Sequence, residues 1–330
     1  MKKLLCMLIA ASLIISCLAG CGQKSDPAPQ PDPEPEKLTA AEIYERFLCG
    51  DYSALYADDT EGLEKGVTYD ISALSYGFCA WLQGTGFCED AFLDRVFYAD
   101  IDCGLDGEPE MALKIGYQLP RGEYYENYTI CCVLKAFDQD LKIVSLEHEY
   151  YRTYTDVNTA GMIYTGGSNS AISWSSACSY VNAEGEKIFL YVSEYYADLA
   201  EAAVPYYMVP LDMQDSGYSE IGVEYRENGV YMSSYNFTDS SALDMSDEKA
   251  YDSFLRDYIF CFTDADGNDV PVSEKYANLY EENGLKIVTK AYLDAFLETY
   301  LKEMGVPEGT DTAEPADWKE LTDAEWMPKG

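Results

Sequence analysis

"YTICCVLKAFDQDLKIVSLEHEYY", residues 128–151, decides the fold class. Its two apolar-rich runs, "YTICCVLKAF" and "LKIVSLEHEYY", are dense in β-branched and aromatic residues and long enough to be strands. Asp138-Gln139-Asp140 stands between them, a polar turn too short to hold a crossover helix. The stretch therefore reads as an antiparallel β-hairpin.

Upstream, "EMALKIGY" (110–117) alternates Met111, Leu113, Ile115 and Tyr117, the period of a half-buried strand. Downstream come "TYTDV", "GMIYTG", "AISWSSACSYV", "KIFLYVSEYY", "EIGVEYR" and "VYMSSYNF". Turn signals separate these runs at 158–161, 166–169, 182–185 and 227–229, the last containing the tight-turn dipeptide Asn228-Gly229. Such short connections predict a long antiparallel meander.

Helical patterns flank the meander. Thr39 and Glu42 form a capping box ahead of Ile43, Tyr44, Phe47 and Leu48, with Gly50 as the stop. A second helix is predicted over 70–82, with Ile71, Leu74, Phe78, Trp81 and Leu82 on one side, and a third, short one over 89–95. Near the C-terminus, Ser246 caps a segment carrying Tyr251, Phe254, Leu255 and Tyr258. "TKAYLDAFLETYLKEMG" then places Tyr292, Leu293, Phe296, Leu297, Tyr300 and Leu301 on one stripe. The pattern is α+β: N-terminal helices, a long antiparallel β-meander, C-terminal helices.

The first residues decide location. Lys2 and Lys3 precede an apolar run from Leu4 to Leu18, shorter than the about 20 residues a membrane span needs. This is the pattern of a secretory signal peptide. It ends in Leu18-Ala19-Gly20-Cys21, which resembles a bacterial lipobox. That resemblance implies cleavage after residue 20 and a lipid-modified Cys21. Prolines at 27, 29, 31, 33 and 35 make the following segment a stiff, extended stalk. The expected organisation is a signal peptide (1–20), a lipidated cysteine with Pro-rich stalk (21–37), a globular region (38–305) forming one large or two small domains, and a loose acidic tail (306–330) with one short turn around Trp318. The expected location is the outer face of the cell membrane, with lipid as the anchoring partner.

Composition narrows the partners. The 59 acidic and 22 basic residues give a net charge of −37. Nucleic acid is thereby disfavoured, because binding it rests on Lys and Arg neutralising phosphates. Tyrosine is abundant, 30 of 330 residues, and suits half-exposed faces because its ring packs while its hydroxyl stays wet. Eight cysteines follow Cys21, at 49, 79, 88, 103, 131, 132, 178 and 261. An exported protein permits disulfides; Cys79 and Cys88 are the strongest candidate pair, and free buried thiols are the alternative.

No catalytic signature emerges. Gly166-Gly167-Ser168 lacks the closing glycine of a nucleophile elbow, and His148 is the single histidine, on a predicted strand. One stretch suits an ion: "YADIDCGLDGEPEMAL" (98–113) holds Asp100, Asp102, Asp106 and Glu110. A twelve-residue calcium loop takes ligands at positions 1, 3, 5, 7, 9 and 12 with glycine at 6. Counting from Asp100, position 5 is Gly104, Gly107 falls one place late and Glu110 stands at 11. The same residues also fit the polar end of a hairpin with Asp106-Gly107 at its tip, and the register favours that reading over a Ca2+ site.

The Asp100-x-Asp102…Asp106-Gly107-x-x-Glu110 segment resembles one found in surface lipoproteins exported by low-GC Gram-positive bacteria. Those proteins open with a lipobox, a Pro-rich spacer and a helix ending F-L-x-G, here Phe47-Leu48-Cys49-Gly50, and continue with Tyr-rich strands like "YYRTYTDVNTAGMIYTGGSNSA". The resemblance implies a surface lipoprotein and a calcium-loop-like turn; it brings no reaction. The expectation is a tethered extracellular binding or interaction protein whose ligand is a glycan or a cell-surface protein. The alternative is a surface hydrolase of glycan or peptide using a carboxylate pair.

Overall fold

A computed structural model describes residues 37–57, 62–122, 124–168, 173–196 and 227–322. The signal peptide, Cys21, nearly all of the stalk, the "EIGVEYR" strand and the last eight residues lie outside the described residues.

The fold is α+β. Its helices are α1 (Ala40–Leu48), α2 (Ile71–Gly84), α3 (Glu248–Arg256), α4 (Glu274–Glu282) and α5 (Lys290–Glu303). Its strands are β1 (Ala54–Tyr56), β2 (Thr68–Tyr69), β3 (Phe92–Ile101), β4 (Glu110–Arg121), β5 (Tyr124–Phe137), β6 (Asp140–Tyr150) and β7 (Thr153–Val157). They continue as β8 (Met162–Ser168), β9 (Ser173–Val181), β10 (Lys187–Tyr196), β11 (Tyr231–Asn236), β12 (Ile259–Thr263), β13 (Lys286–Ile287) and β14 (Lys319–Glu320).

The meander divides into two seven-stranded sheets, ordered β14-β3-β4-β5-β6-β1-β2 and β13-β12-β11-β10-β9-β8-β7. Antiparallel pairing dominates, as expected. The exceptions are β1 beside β6 and β12 beside β13, both parallel. Each joins strands whose connection contains a helix, which is what a parallel pair requires. One such helix, α4, escapes the periodicity because among its described apolar side chains Tyr280 alone is fully buried.

Alternation along each strand builds the layers. One face of the first sheet (Leu113, Ile115, Ile130, Cys132) meets Ile43 and Phe47 of α1 and Leu74, Phe78 and Leu82 of α2. The capping box forms as read, with Thr39 and Glu42 each satisfying the other's backbone N–H. The opposite face (Ala99, Ala112, Cys131, Val133) packs on Val157, Ile163 and Val181 of the second sheet. These are small side chains, so the two sheets can approach closely. Further along the same face of the second sheet, Met232, Phe260 and Phe262 are covered by α3 and α4. Helix α5 lies on the other face, over Cys178, Leu190, Ile259 and Cys261.

Four local expectations are corrected. Residues 89–95 are not a helix: Phe92 onward is strand, paired with Gln118 through Glu110. A bulge between Leu93 and Arg95 breaks the two-residue period there, which hides the strand. Gly166 and Gly167 are strand residues, not a turn. A Cβ on Gly166 would sit 2.4 Å from the Ser175 carbonyl, and one on Gly167 2.6 Å from that of Arg152. Glycine is there because neighbouring backbones crowd in. The cap of α3 is Asp247, whose side chain accepts from Lys249 N–H, one residue after Ser246.

The tail is the fourth. Residues 306–321 are held rather than loose. Asn158 Nδ2 donates to Thr310 O (2.6 Å), Ala316 N–H to Val157 O (2.9 Å) and Leu321 N–H to Val96 O (2.8 Å). Ala316 is buried and joins the core between the sheets, with Trp318 packed against it. The segment thus bonds to an edge of each sheet and closes the seam between them.

Candidate functional site

Strand order fixes which side chains share an end of the molecule. β5 runs from Tyr124 to Phe137, about 45 Å at the usual rise per residue. The turn before it and the turn after it therefore lie far apart. The sheets are aligned: Asp102 N–H, just past β3, donates to Thr159 O, just past β7. The chain turns after β3, β5, β7 and β9 thus gather at one end, and the starts of β3, β5, β7, β9 and β11 at the other.

The first end is acidic. It carries Asp102, Asp106 and Glu108, then Asp138 and Asp140, then Glu184 and Glu186. The four residues considered for calcium are placed here, and they do not converge. Asp100 pairs with Lys319 (2.8 Å). The Asp102 carboxylate accepts from Gly107 N–H (3.1 Å), and that of Asp106 from Glu108 N–H (2.7 Å). Glu110 turns inward, fully buried, where it pairs with Lys135 and accepts from Cys103 N–H (2.6 Å). Burial pushes the Glu110 carboxyl up, while Lys135 and the Cys103 N–H pull it down. Among the described residues no three His, Cys, Asp or Glu side chains group as metal ligands. The stretch is the polar end of the β3–β4 hairpin, with Gly107 in the left-handed region at φ 85°.

The Cys79–Cys88 pair is also corrected: all eight described thiols are free. Cys79 Sγ donates to Ala91 O (3.3 Å), and Cys88 Sγ reaches Pro120 O (3.7 Å), so each thiol is turned to a backbone acceptor. His148 sits half-buried among Phe78, Trp81 and Tyr128, with the Tyr128 hydroxyl 2.6 Å from Nδ1. These are packing contacts, and His148 also lines a cleft at the opposite end of the sheets from the acidic turns.

The second end is aromatic. Of the eleven exposed large apolar or aromatic side chains among the described residues, seven stand there: Phe92, Tyr124, Tyr125, Tyr151, Tyr154, Trp174 and Tyr195. Arg121 lies over Phe87 and Arg152 over Tyr151. Between the strand ends opens a cleft of about 320 Å³, lined by Thr153, Tyr154, Thr165, Gly167, Ser176 and Ala177, among others. Its lining is small and hydroxyl-rich, so backbone and hydroxyl groups are both within reach of an occupant.

One row of rings is ordered. Trp174 on β9 pairs directly across from Tyr195 on β10, centroids 5.8 Å apart. Tyr195 in turn stacks on Tyr231 of β11 at 5.9 Å and 11°. Trp174 and Tyr195 are each 39 % exposed. Burial and the nearby Tyr231 hold the Tyr195 phenol above its ordinary value.

The sequence reading missed this end, although a signal was present. Aromatic residues flank every second turn of the meander, and acids flank the turns between. Reading turn parity along the predicted strands would have placed them at opposite ends.

No protein-family model matches the chain, and neither a curated protein nor a solved structure matches it.

Proposed function

We propose that this is a membrane-tethered extracellular binding protein, anchored through lipid on Cys21, that presents its aromatic end to a ligand outside the cell. One observation carries the reading: most exposed aromatic side chains among the described residues gather at the end opposite Leu38, where the folded region begins. Leu38 exchanges hydrogen bonds with Gln139 in the β5–β6 turn, at the acidic end. A tether leading from a lipidated Cys21 would join the folded region at Leu38, at the acidic end and not at the aromatic one. Tyr and Trp suit such a surface because each offers a large apolar face at little cost in ordering. The ligand class is a glycan or a cell-surface protein.

The test uses the full-length protein in lipid nanodiscs, probed against a glycan array and a panel of surface proteins. Binding weakened by Trp174→Ala with Tyr195→Ala, or by Phe92→Ala with Tyr125→Ala, is the expected result. Binding that ignores both pairs, or no binding at all, overturns the reading. Turnover of a glycan or peptide that one Asp or Glu substitution abolishes would replace it with a hydrolase. Anchoring is tested separately: Cys21→Ser should lose lipid labelling and leave the detergent phase on phase separation.

A further inference from the structure

We propose that Trp174, Tyr195 and Tyr231 form a stacking surface for an uncharged polysaccharide chain. The inference rests on the aromatic end being the ligand-facing end. It adds the class of ligand and the residues that take it.

Charge comes first. A quarter of the chain's residues are charged, yet β9 ("SWSSACSYV") and β11 ("YMSSYN") contain no charged residue. On the half of β10 between them the one charge is Glu194. It points to the other face, is buried, and accepts from the Tyr196 hydroxyl at 2.6 Å. The strand segments that carry the ring row are thus uncharged on its face, in a protein of net charge −37. An anionic polymer finds no cation on the parts of these strands that carry the rings, and is repelled by the whole. A cationic ligand would be drawn to the acidic end.

Geometry comes second. The rings occupy three adjacent strands, one per strand, with centroids 5.8 and 5.9 Å apart. A row with one ring per strand suits a linear polymer whose units repeat on the same scale, each offering a flat C–H face. The rings already pack against one another, Trp174 tilted on Tyr195 and Tyr195 stacked on Tyr231, so little side-chain freedom is lost on binding.

Polar supply comes third. Ser176, Ser193 and Ser233 lie on the same face as the rings, each within one or two residues of the row along its pairing, and are half-buried. Helix α5 covers the rest of this face, over Cys178, Tyr191 and Tyr235, and leaves Trp174 and Tyr195 exposed and Tyr231 half-buried. Rings edged by hydroxyls match a ligand with an apolar face and a hydroxylated rim.

Affinity electrophoresis of the detergent-solubilised full-length protein tests this. Gels contain dextran, mixed-linkage β-glucan, arabinoxylan or galactomannan, with polygalacturonate as the anionic comparison. The expected result is retardation by at least one uncharged polymer. Trp174→Ala should weaken it about tenfold, the loss of a good aromatic contact. Trp174→Phe should keep most of it, and Tyr292→Ala, on exposed α5, all of it. Trp174, Tyr195 and Tyr292 are exposed, so folding is not at stake. Retardation by no uncharged polymer overturns the proposal, as does retardation by polygalacturonate alone or retardation that Trp174→Ala with Tyr195→Ala leaves unchanged. Sedimentation showing a dimer that Trp174→Ala dissolves would assign the row to a second copy, and flotation with neutral vesicles to lipid; either also overturns it. Array binding lost only in Phe92→Ala with Tyr125→Ala would sink this inference and leave the aromatic end as the binding end.

Discussion

Leu38 and Gln139 exchange two hydrogen bonds across 101 residues of chain: Leu38 N–H donates to Gln139 Oε1 at 3.0 Å, and Gln139 Nε2 donates back to Leu38 O at 3.0 Å. The first turn of the folded region is thereby fastened to the tip of the hairpin that decides the fold. The Tyr52 hydroxyl bonds the Gln139 carbonyl as well, so three segments meet at one turn.

Gln139→Ala should therefore loosen the entry of the chain without disturbing the aromatic end. The two lost bonds are partly exposed, so we expect about 1–2 kcal/mol in stability. Limited proteolysis should cut sooner near Leu38, while ligand binding stays at the parent level. An unchanged cleavage rate would show that the entry is held by packing alone.

The buried pair Glu110–Lys135 should behave asymmetrically. Lys135→Met alone strands a carboxylate that is fully buried, at a cost of about 3–5 kcal/mol. Removing both charges with Glu110→Gln and Lys135→Met should recover most of that, because the glutamine carbonyl still accepts from Cys103 N–H. Urea unfolding of the three proteins gives the comparison. Equal losses in single and double variants would mean that the pair contributes net stability beyond its own desolvation.

Asn158 links both sheets to the C-terminal segment. Its Nδ2 donates to Thr310 O, and its Oδ1 accepts from Ala160 and Met162 N–H at 3.0 and 2.9 Å. Asn158→Ala leaves these buried groups unsatisfied and should cost about 3 kcal/mol. Proteolysis within 306–321 should accelerate, and exposure of the β3 edge should promote self-association. A segment cut no faster than in the parent would show that Ala316 and Trp318 hold it unaided.

Of the eight described cysteines, Cys49 alone is exposed. Burial pushes the thiols of Cys131 and Cys178 up to about 12 and that of Cys261 up to about 11. At neutral pH these stay protonated and unreactive. Native alkylation should modify one thiol of the eight quickly, and Cys49→Ser should abolish that phase. Mass spectrometry showing a Cys79–Cys88 bridge instead would overturn the free-thiol assignment.

What the sequence determined was local. The capping box at Thr39 and Glu42 and the hairpin at Asp138 each depend on neighbours a few residues away, and each stands where the pattern put it. Alternation of side chains marked most strands for the same reason, and failed at Leu93/Arg95, where a bulge interrupts it. The tertiary structure alone decided the division into two sheets and the parallel pairing around α4. It also sealed the seam with the tail, split the four acids of 100–110 into separate partnerships, and set Trp174, Tyr195 and Tyr231 in one row. Those depend on hydrogen bonds and registers between residues tens to hundreds of positions apart. Nothing in a residue's near neighbours encodes which distant strand will lie 4.8 Å away from it.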